Sequence, residues 1–185
     1  MAPPQIIILN GVGSVGKTST AKALQAITAM PFLHVAMDAF IDMLPTKLFG
    51  DPQGLVFETV EDRGKPSVVI TSGPVFERLM VGMRDAIVAM ANQGNNLIVD
   101  DVMVGQGEAH DYRTRLVEYE VRFVGLHAPL EVLEAREAAR GDRAIGLARW
   151  QFDRVHLGID YDLEIDTVTT SPMKNAQLIA ATFGL

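Results

Sequence analysis

The sequence predicts an α/β protein, a three-layer α/β/α sandwich whose parallel sheet carries helices on both faces. Three observations carry that prediction. Short apolar or β-branched runs recur along the 185 residues, and longer amphipathic segments separate them. The first run leads directly into a glycine-rich turn that opens the first helix. Strands alternating with helices imply right-handed βαβ crossovers and a doubly wound sheet.

Five runs read as buried parallel strands: IIILN at 6–10, FLHVAM at 32–37, LIVDD at 97–101, VRFVGL at 121–126 and DLEID at 162–166. Helical periodicity fills the intervals at 17–28, 75–93, 110–117, 129–140, 143–155 and 171–183. Pro129 suits a first helical turn, and Ser171-Pro172 pairs a cap with such a proline. Between Pro45 and Pro74 the rhythm fails. Gly50, Pro52, Gly54, Gly64, Pro66 and Gly73 break the stretch, leaving one alternating patch at 67–71 that suits a short strand. Long irregular insertions in compact domains are often functional, so 45–74 is expected to serve the substrate side; a solvated surface loop is the alternative. With no repeat and no linker, residues 1–185 read as one domain.

Composition narrows the function. Sixteen Lys and Arg against 23 Asp and Glu give a net charge of −7, which repels a polyanionic backbone. Nucleic acid is not expected as a partner. The absence of cysteine removes disulfides, thiolate metal sites and a Cys nucleophile. No apolar stretch approaches membrane-spanning length, and the run at 6–9 is too short for a signal core, so a cytoplasmic protein is expected.

Gly11-Val12-Gly13-Ser14-Val15-Gly16-Lys17-Thr18 matches G-x-x-x-x-G-K-[ST] at every fixed position, after a strand and before a helix. Glycines let successive N–H groups converge on one anion, and the helix beginning near Gly16, with Ser19 in its first turn, adds its positive end. Lys17 would reach the β- and γ-phosphates of ATP, and Thr18 would offer its hydroxyl to Mg²⁺. A turn that merely joins strand to helix is the alternative.

In an open α/β sheet, ligands lie beyond the carboxyl ends of the strands. Asp100 and Asp101 close the third run and Asp38 follows the second. One of the Asp100-Asp101 pair would serve Mg²⁺; alternation along a strand allows only one to face the nucleotide, and the sequence leaves open which. Asp38 would accept the proton of an acceptor hydroxyl, with helix capping as its other use. Asp42, four residues on, is a lesser candidate.

Arg136, Arg140 and Arg143 fall in REAARGDR, with Gly141 able to break the helix between them. Such a group suits a lid over 136–150 that disperses phosphoryl charge and excludes water, whereas a salt-bridged surface helix suits any single arginine. His34, His110, His127 and His156 show no metal-ligand spacing and read as structural or surface residues.

The order IIILNG-x-x-S-x-GK, MDAFIDMLP, IVDDV, REAARGDR, and His156 with YDLEIDT at 161–167 resembles the chloramphenicol phosphotransferase family over essentially the whole chain. The resemblance implies a P-loop fold like shikimate and nucleoside-monophosphate kinases, with sheet order 2-3-1-4-5. It implies ATP-dependent phosphorylation of the primary hydroxyl of chloramphenicol, which inactivates the antibiotic. By position, Asp38 would be the base, Lys17 and Thr18 the phosphate and magnesium residues, and Arg136, Arg140 and Arg143 the nucleotide-side lid. Asp166 and Thr167 would border the adenine. The expected reaction is therefore transfer of the γ-phosphoryl of MgATP to a small-molecule hydroxyl. A metabolite kinase of the same fold, or an ATP-binding switch with little catalysis, are the rivals.

Overall fold

The computed structural model describes residues 3–141 and 144–185. Five parallel strands form the main sheet: β1 (Gln5–Asn10), β2 (Phe32–Ala36), β5 (Asn96–Asp101), β6 (Glu120–His127) and β7 (Leu163–Asp166). Their spatial order is β2-β5-β1-β6-β7, which is 2-3-1-4-5 when the parallel strands are counted in chain order.

The central strand β1 explains why this sheet is covered on both sides. Ile6 and Ile8 point into one core with Val35, Met83, Ile87, Leu97 and Val99. Ile7 and Leu9 point into the other with Ala21, Leu24, Ile98, Val124 and Ile179. Alternation places each neighbour on the opposite face, so a continuous apolar run demands two cores.

Helices α1 (Lys17–Ile27), α5 (Leu130–Arg140), α6 (Leu147–Phe152) and α7 (Pro172–Phe183) follow the loops at the carboxyl edge, as do α3 (Pro74–Asn92) and α4 (Gln106–Arg115). Ser171 caps α7 through the Lys174 N–H, and Pro172 occupies its first turn.

Three expectations about local structure are corrected, and one alternative is removed. Only the first part of 45–74 is irregular: β3 (Leu55–Asp62) and β4 (Lys65–Ser72), the latter containing the expected strand at 67–71, form an antiparallel hairpin separate from the main sheet. Its turn places Arg63 at φ 53° and Gly64 at φ 78°, the left-handed pair that a tight two-residue hairpin needs. Helix α4 begins at Gln106, four residues before the predicted start, and α6 covers only the middle of the predicted 143–155 helix. Asp38 is no cap; it stands inside the first turn of α2 (Met37–Ile41), whose N-cap is Ala36.

Under the hairpin lies a third, smaller core of Leu44, Leu55, Phe76 and Met80. It holds the hairpin against α2 and α3, beside the carboxyl edge of β2 and β5.

Candidate active site

Strand register decides which residues meet at the edge. Asn10 pairs with Asp101 and Leu9 with Asp100, so the loop leaving β1 runs beside the end of β5. Ala36 also pairs with Asp100, which brings Asp38, two residues further, to the same edge.

The loop from Gly11 to Thr18 curls with Ser14 at φ 66° and Gly16 at φ 104°. Only the second is eased by glycine; Ser14 carries a side chain in the left-handed region, a strain typical of ligand-binding turns. Its Oγ is buried without a hydrogen-bond partner among the described residues. Lys17, almost fully buried, folds back so that Nζ donates to Gly11 O at 2.8 Å and Val12 O at 3.3 Å. Gly13 N donates to Oε1 of buried Gln151 at 2.7 Å.

Thr18 Oγ1 donates to Asp100 Oδ2 at 2.6 Å, and His34 Nε2 lies 3.6 Å from the same oxygen. Burial pushes the Asp100 carboxyl up, yet His34, Lys17 and the Thr18 hydroxyl together outweigh it and hold the group below its ordinary range. Asp101 faces the other way, accepting from Tyr112 Oη and from the Val102 N–H, each at 2.7 Å. There burial dominates and pushes its carboxyl up. Of the pair, only Asp100 meets Thr18.

Two cavities flank this edge. The first, about 440 Å³, is lined by the loop from Ser14 to Ser19 and by Arg136, Arg140, Thr167 and Asn175. Arg136 spans it: Nη1 donates to Thr167 Oγ1 at 3.0 Å and Nη2 to Thr167 O at 2.9 Å. Asp166 does not line it; its carboxylate accepts the Val168 N–H and shapes the turn instead. The second cavity, about 650 Å³, is roofed by the hairpin and α6 and lined by Leu55, Phe57, Phe76, Met80 and Trp150. Asp38 and Arg140 line both. Arg143 lies outside the described residues.

Sequence reasoning missed Gln151, Asn175 and His34. Their signal was absent because each reaches the site from far along the chain through a single side chain. Trp150 lines the second cavity.

The chain from residue 4 to residue 184 matches the family model described as chloramphenicol phosphotransferase-like protein. A relative in Mycobacterium tuberculosis, named "Putative O-phosphotransferase", is 32% identical over 175 residues, covering 92% of this chain and 78% of its own. Among solved structures, a sugar kinase from Janibacter sp. HTCC2649 superposes with TM-score 0.68 at 19% identity, over 98% of this chain and 95% of that one. An APS kinase from Mycobacterium tuberculosis, solved with AMPPNP and APS, gives TM-score 0.69 at 12% identity over both whole chains. The fold is that of P-loop kinases, and the whole-chain family match makes the protein a phosphotransferase: it belongs to the chloramphenicol phosphotransferase-like family.

Proposed function

We propose that the protein transfers the γ-phosphoryl of MgATP to a hydroxyl of a small organic molecule, with chloramphenicol the leading acceptor. The observation that carries this reading is the position of Asp38 and Arg140 on the wall shared by two cavities, one lined by the phosphate loop and one by apolar side chains. Two adjoining chambers with a carboxylate between them suit the transfer of a group from a ligand in one to a ligand in the other.

ATP would occupy the first cavity. The N–H groups around Gly16 and the start of α1 cradle its phosphates, and the orphaned Ser14 hydroxyl gains a partner there. Lys17 exchanges its contacts with Gly11 O and Val12 O for phosphate oxygens. Arg136 and Thr167 border the base and ribose side, beside the turn that Asp166 shapes.

The hard oxygens of Thr18 and Asp100 suit Mg²⁺, which tolerates few protein ligands and keeps waters and phosphates for the rest. Bound there, magnesium would neutralise charge on the phosphates. Asp101, turned to Tyr112, would act only through the strand that carries Asp100.

In the second cavity the acceptor hydroxyl would approach Asp38. Asp38 takes the hydroxyl proton as the acceptor oxygen forms its bond to the γ-phosphorus. The bond from that phosphorus to the β–γ bridging oxygen breaks, and ADP leaves. Arg140, with Arg143 from the segment that follows, would disperse the charge of the moving phosphoryl group. The hairpin with α6 would serve as the acceptor-side cover, and the end of α5 around Arg136 and Arg140 as the nucleotide-side cover, which together would keep water from the γ-phosphate.

The test is ADP release from MgATP with and without chloramphenicol and other alcohols, repeated with Asp38→Asn. Chloramphenicol should stimulate release, and Asp38→Asn should lose the stimulated rate by at least about a hundredfold while binding ATP normally. Full activity in that variant would remove Asp38 as the base. Failure of chloramphenicol alone would leave the kinase with another alcohol.

A further inference from the structure

Gln151 belongs to the acceptor side by position and to the nucleotide side by contact. It stands near the end of α6, is buried, and lines the second cavity but not the first. Its Oε1 nevertheless accepts the Gly13 N–H, a bond that joins residues 138 apart in the chain. Gly13 directly precedes Ser14, the strained residue of the phosphate loop. The loop thus takes one of its fixing contacts from the helix that walls the other cavity.

The backbone that carries Gln151 is held at both ends. Gly146 and Ala148 give their N–H groups to Glu137, and Gly146 O accepts the Val68 N–H of β4. Beyond the helix, Val155 O accepts the Nδ2–H of Asn10 at 2.8 Å. With the backbone fixed, the rotamer of Gln151 decides whether Gly13 is gripped. Because Gly13 supplies a donor, the amide must turn its oxygen to the loop, and its nitrogen is left without a hydrogen-bond partner among the described residues. In a residue that lines a cavity, an oxygen atom of a ligand can take up that donor.

We propose that Gln151 is a positioning residue that ties the two substrates together: its amide nitrogen donates to an oxygen of the acceptor, and its amide oxygen then holds Gly13 and the phosphate loop in the ATP-binding shape. This rests on the kinase reading above. An acceptor bonded to the amide removes the rotamer freedom of Gln151, so the ordering of the loop is already met when ATP arrives, and each ligand tightens the other. The donor is uncharged, which suits an oxygen of a neutral alcohol.

The test uses Mg-AMPPNP as the nucleotide and chloramphenicol as the acceptor or, where chloramphenicol leaves ADP release unchanged, an alcohol that stimulates it. In calorimetry, saturating acceptor should tighten AMPPNP by about fivefold or more, and AMPPNP should tighten the acceptor by the same factor. Gln151→Met, similar in length and without either polar group, should bring that factor near unity, whereas a merely structural role would lower Tm and leave the factor in place. Amide exchange in the parent needs no variant: acceptor alone, without nucleotide, should slow exchange in the loop at 11–16 several-fold. A factor near unity in the parent, a factor that Gln151→Met leaves unchanged, or loop exchange unmoved by acceptor overturns this proposal, and stimulated ADP release in the same protein leaves the kinase standing. If no alcohol stimulates ADP release in a protein that binds AMPPNP, the kinase reading falls and this proposal with it.

Discussion

The phenol of Tyr161 lies 2.7 Å from Nδ1 of His156, and it receives the Nδ2–H of Asn10 at 2.7 Å on its other side. Asn10 is oriented by its own contacts, donating to Val155 O and accepting the Met103 N–H. The phenolic proton therefore points at His156, and His156 must accept it as a neutral ring. His127 stacks on that ring at 4.0 Å and is itself paired with Glu164 at 2.9 Å. Burial first, then the charges of His127 and Lys17, depress His156 to about 4, and burial pushes Tyr161 up to about 12.

That depression fixes a sign for stability against pH. The unfolded chain takes a proton on His156 near its ordinary value of about 6.5, whereas the folded chain refuses it until about 4. Between those values the unfolded state holds more protons, so stability falls as pH falls through the window. Thermal melts from pH 7 to 4 should show His156→Gln with a shallower loss than the parent, and with about 1 kcal/mol less stability at pH 7 from the weakened Tyr161 contact. Parallel curves would remove His156 as the source of acid lability.

Two motif glycines are needed for different reasons, and alanine separates them. A Cβ on Gly11 would sit 2.6 Å from Leu126 O and 2.8 Å from Val15 Cγ1, against strand backbone that cannot yield. Gly11→Ala should lower stability by about 1–3 kcal/mol in a denaturant titration. Gly16 has open space but a φ of 104°, so Gly16→Ala should instead reshape the loop and weaken ATP binding. Equal stability losses with unchanged ATP affinity would contradict the distinction.

Buried Glu137 accepts the N–H groups of Gly146 and Ala148, both at 2.8 Å, and so anchors the start of α6. Glu137→Ala would strand both donors, at about 1–3 kcal/mol for each that water cannot reach. Equilibrium unfolding should register that loss. Because α6 carries Trp150 and Gln151, KM for the acceptor should rise as well.

Arg149 ties α6 to the hairpin, with Nη1 at 3.4 Å from Asp62 and Nη2 bonded to Glu134, which also holds Lys65 at 2.8 Å. Val68 N donates to Gly146 O at 2.9 Å and completes the seam. Arg149→Met should loosen the roof of the acceptor chamber and raise acceptor KM several-fold, while KM for ATP stays within about twofold, since single ion pairs contribute modestly. A larger change for ATP than for the acceptor would place the seam's effect on the wrong side.

The phosphate loop, the five parallel strands and most helices were legible because their signals are local. Apolar periodicity over 5 to 15 residues and a contiguous motif need no knowledge of distant chain. The hairpin was half legible. The alternation at 67–71 marked β4, but β3 runs Leu55–Asp62 with only its first residue buried, and its partner lay across a turn whose signal, Arg63-Gly64, is weak. Asp100 could not be separated from Asp101 in the sequence, because alternation says that they diverge without saying which face holds Thr18.

By itself, then, the sequence determined the chemistry it could carry on one contiguous segment: an anion-binding loop between β1 and α1, a carboxylate after each of two neighbouring strands, and arginines near the end of α5. Tertiary structure decided the rest. Strand register set Asp100 against Thr18 and brought Asp38 to the border of two chambers. Pairing of β3 with β4, and docking of α6 on them, built the largely apolar chamber. The physical reason is range: backbone propensity and periodicity act over a few residues, whereas a cavity is made by side chains that meet only after distant elements have packed.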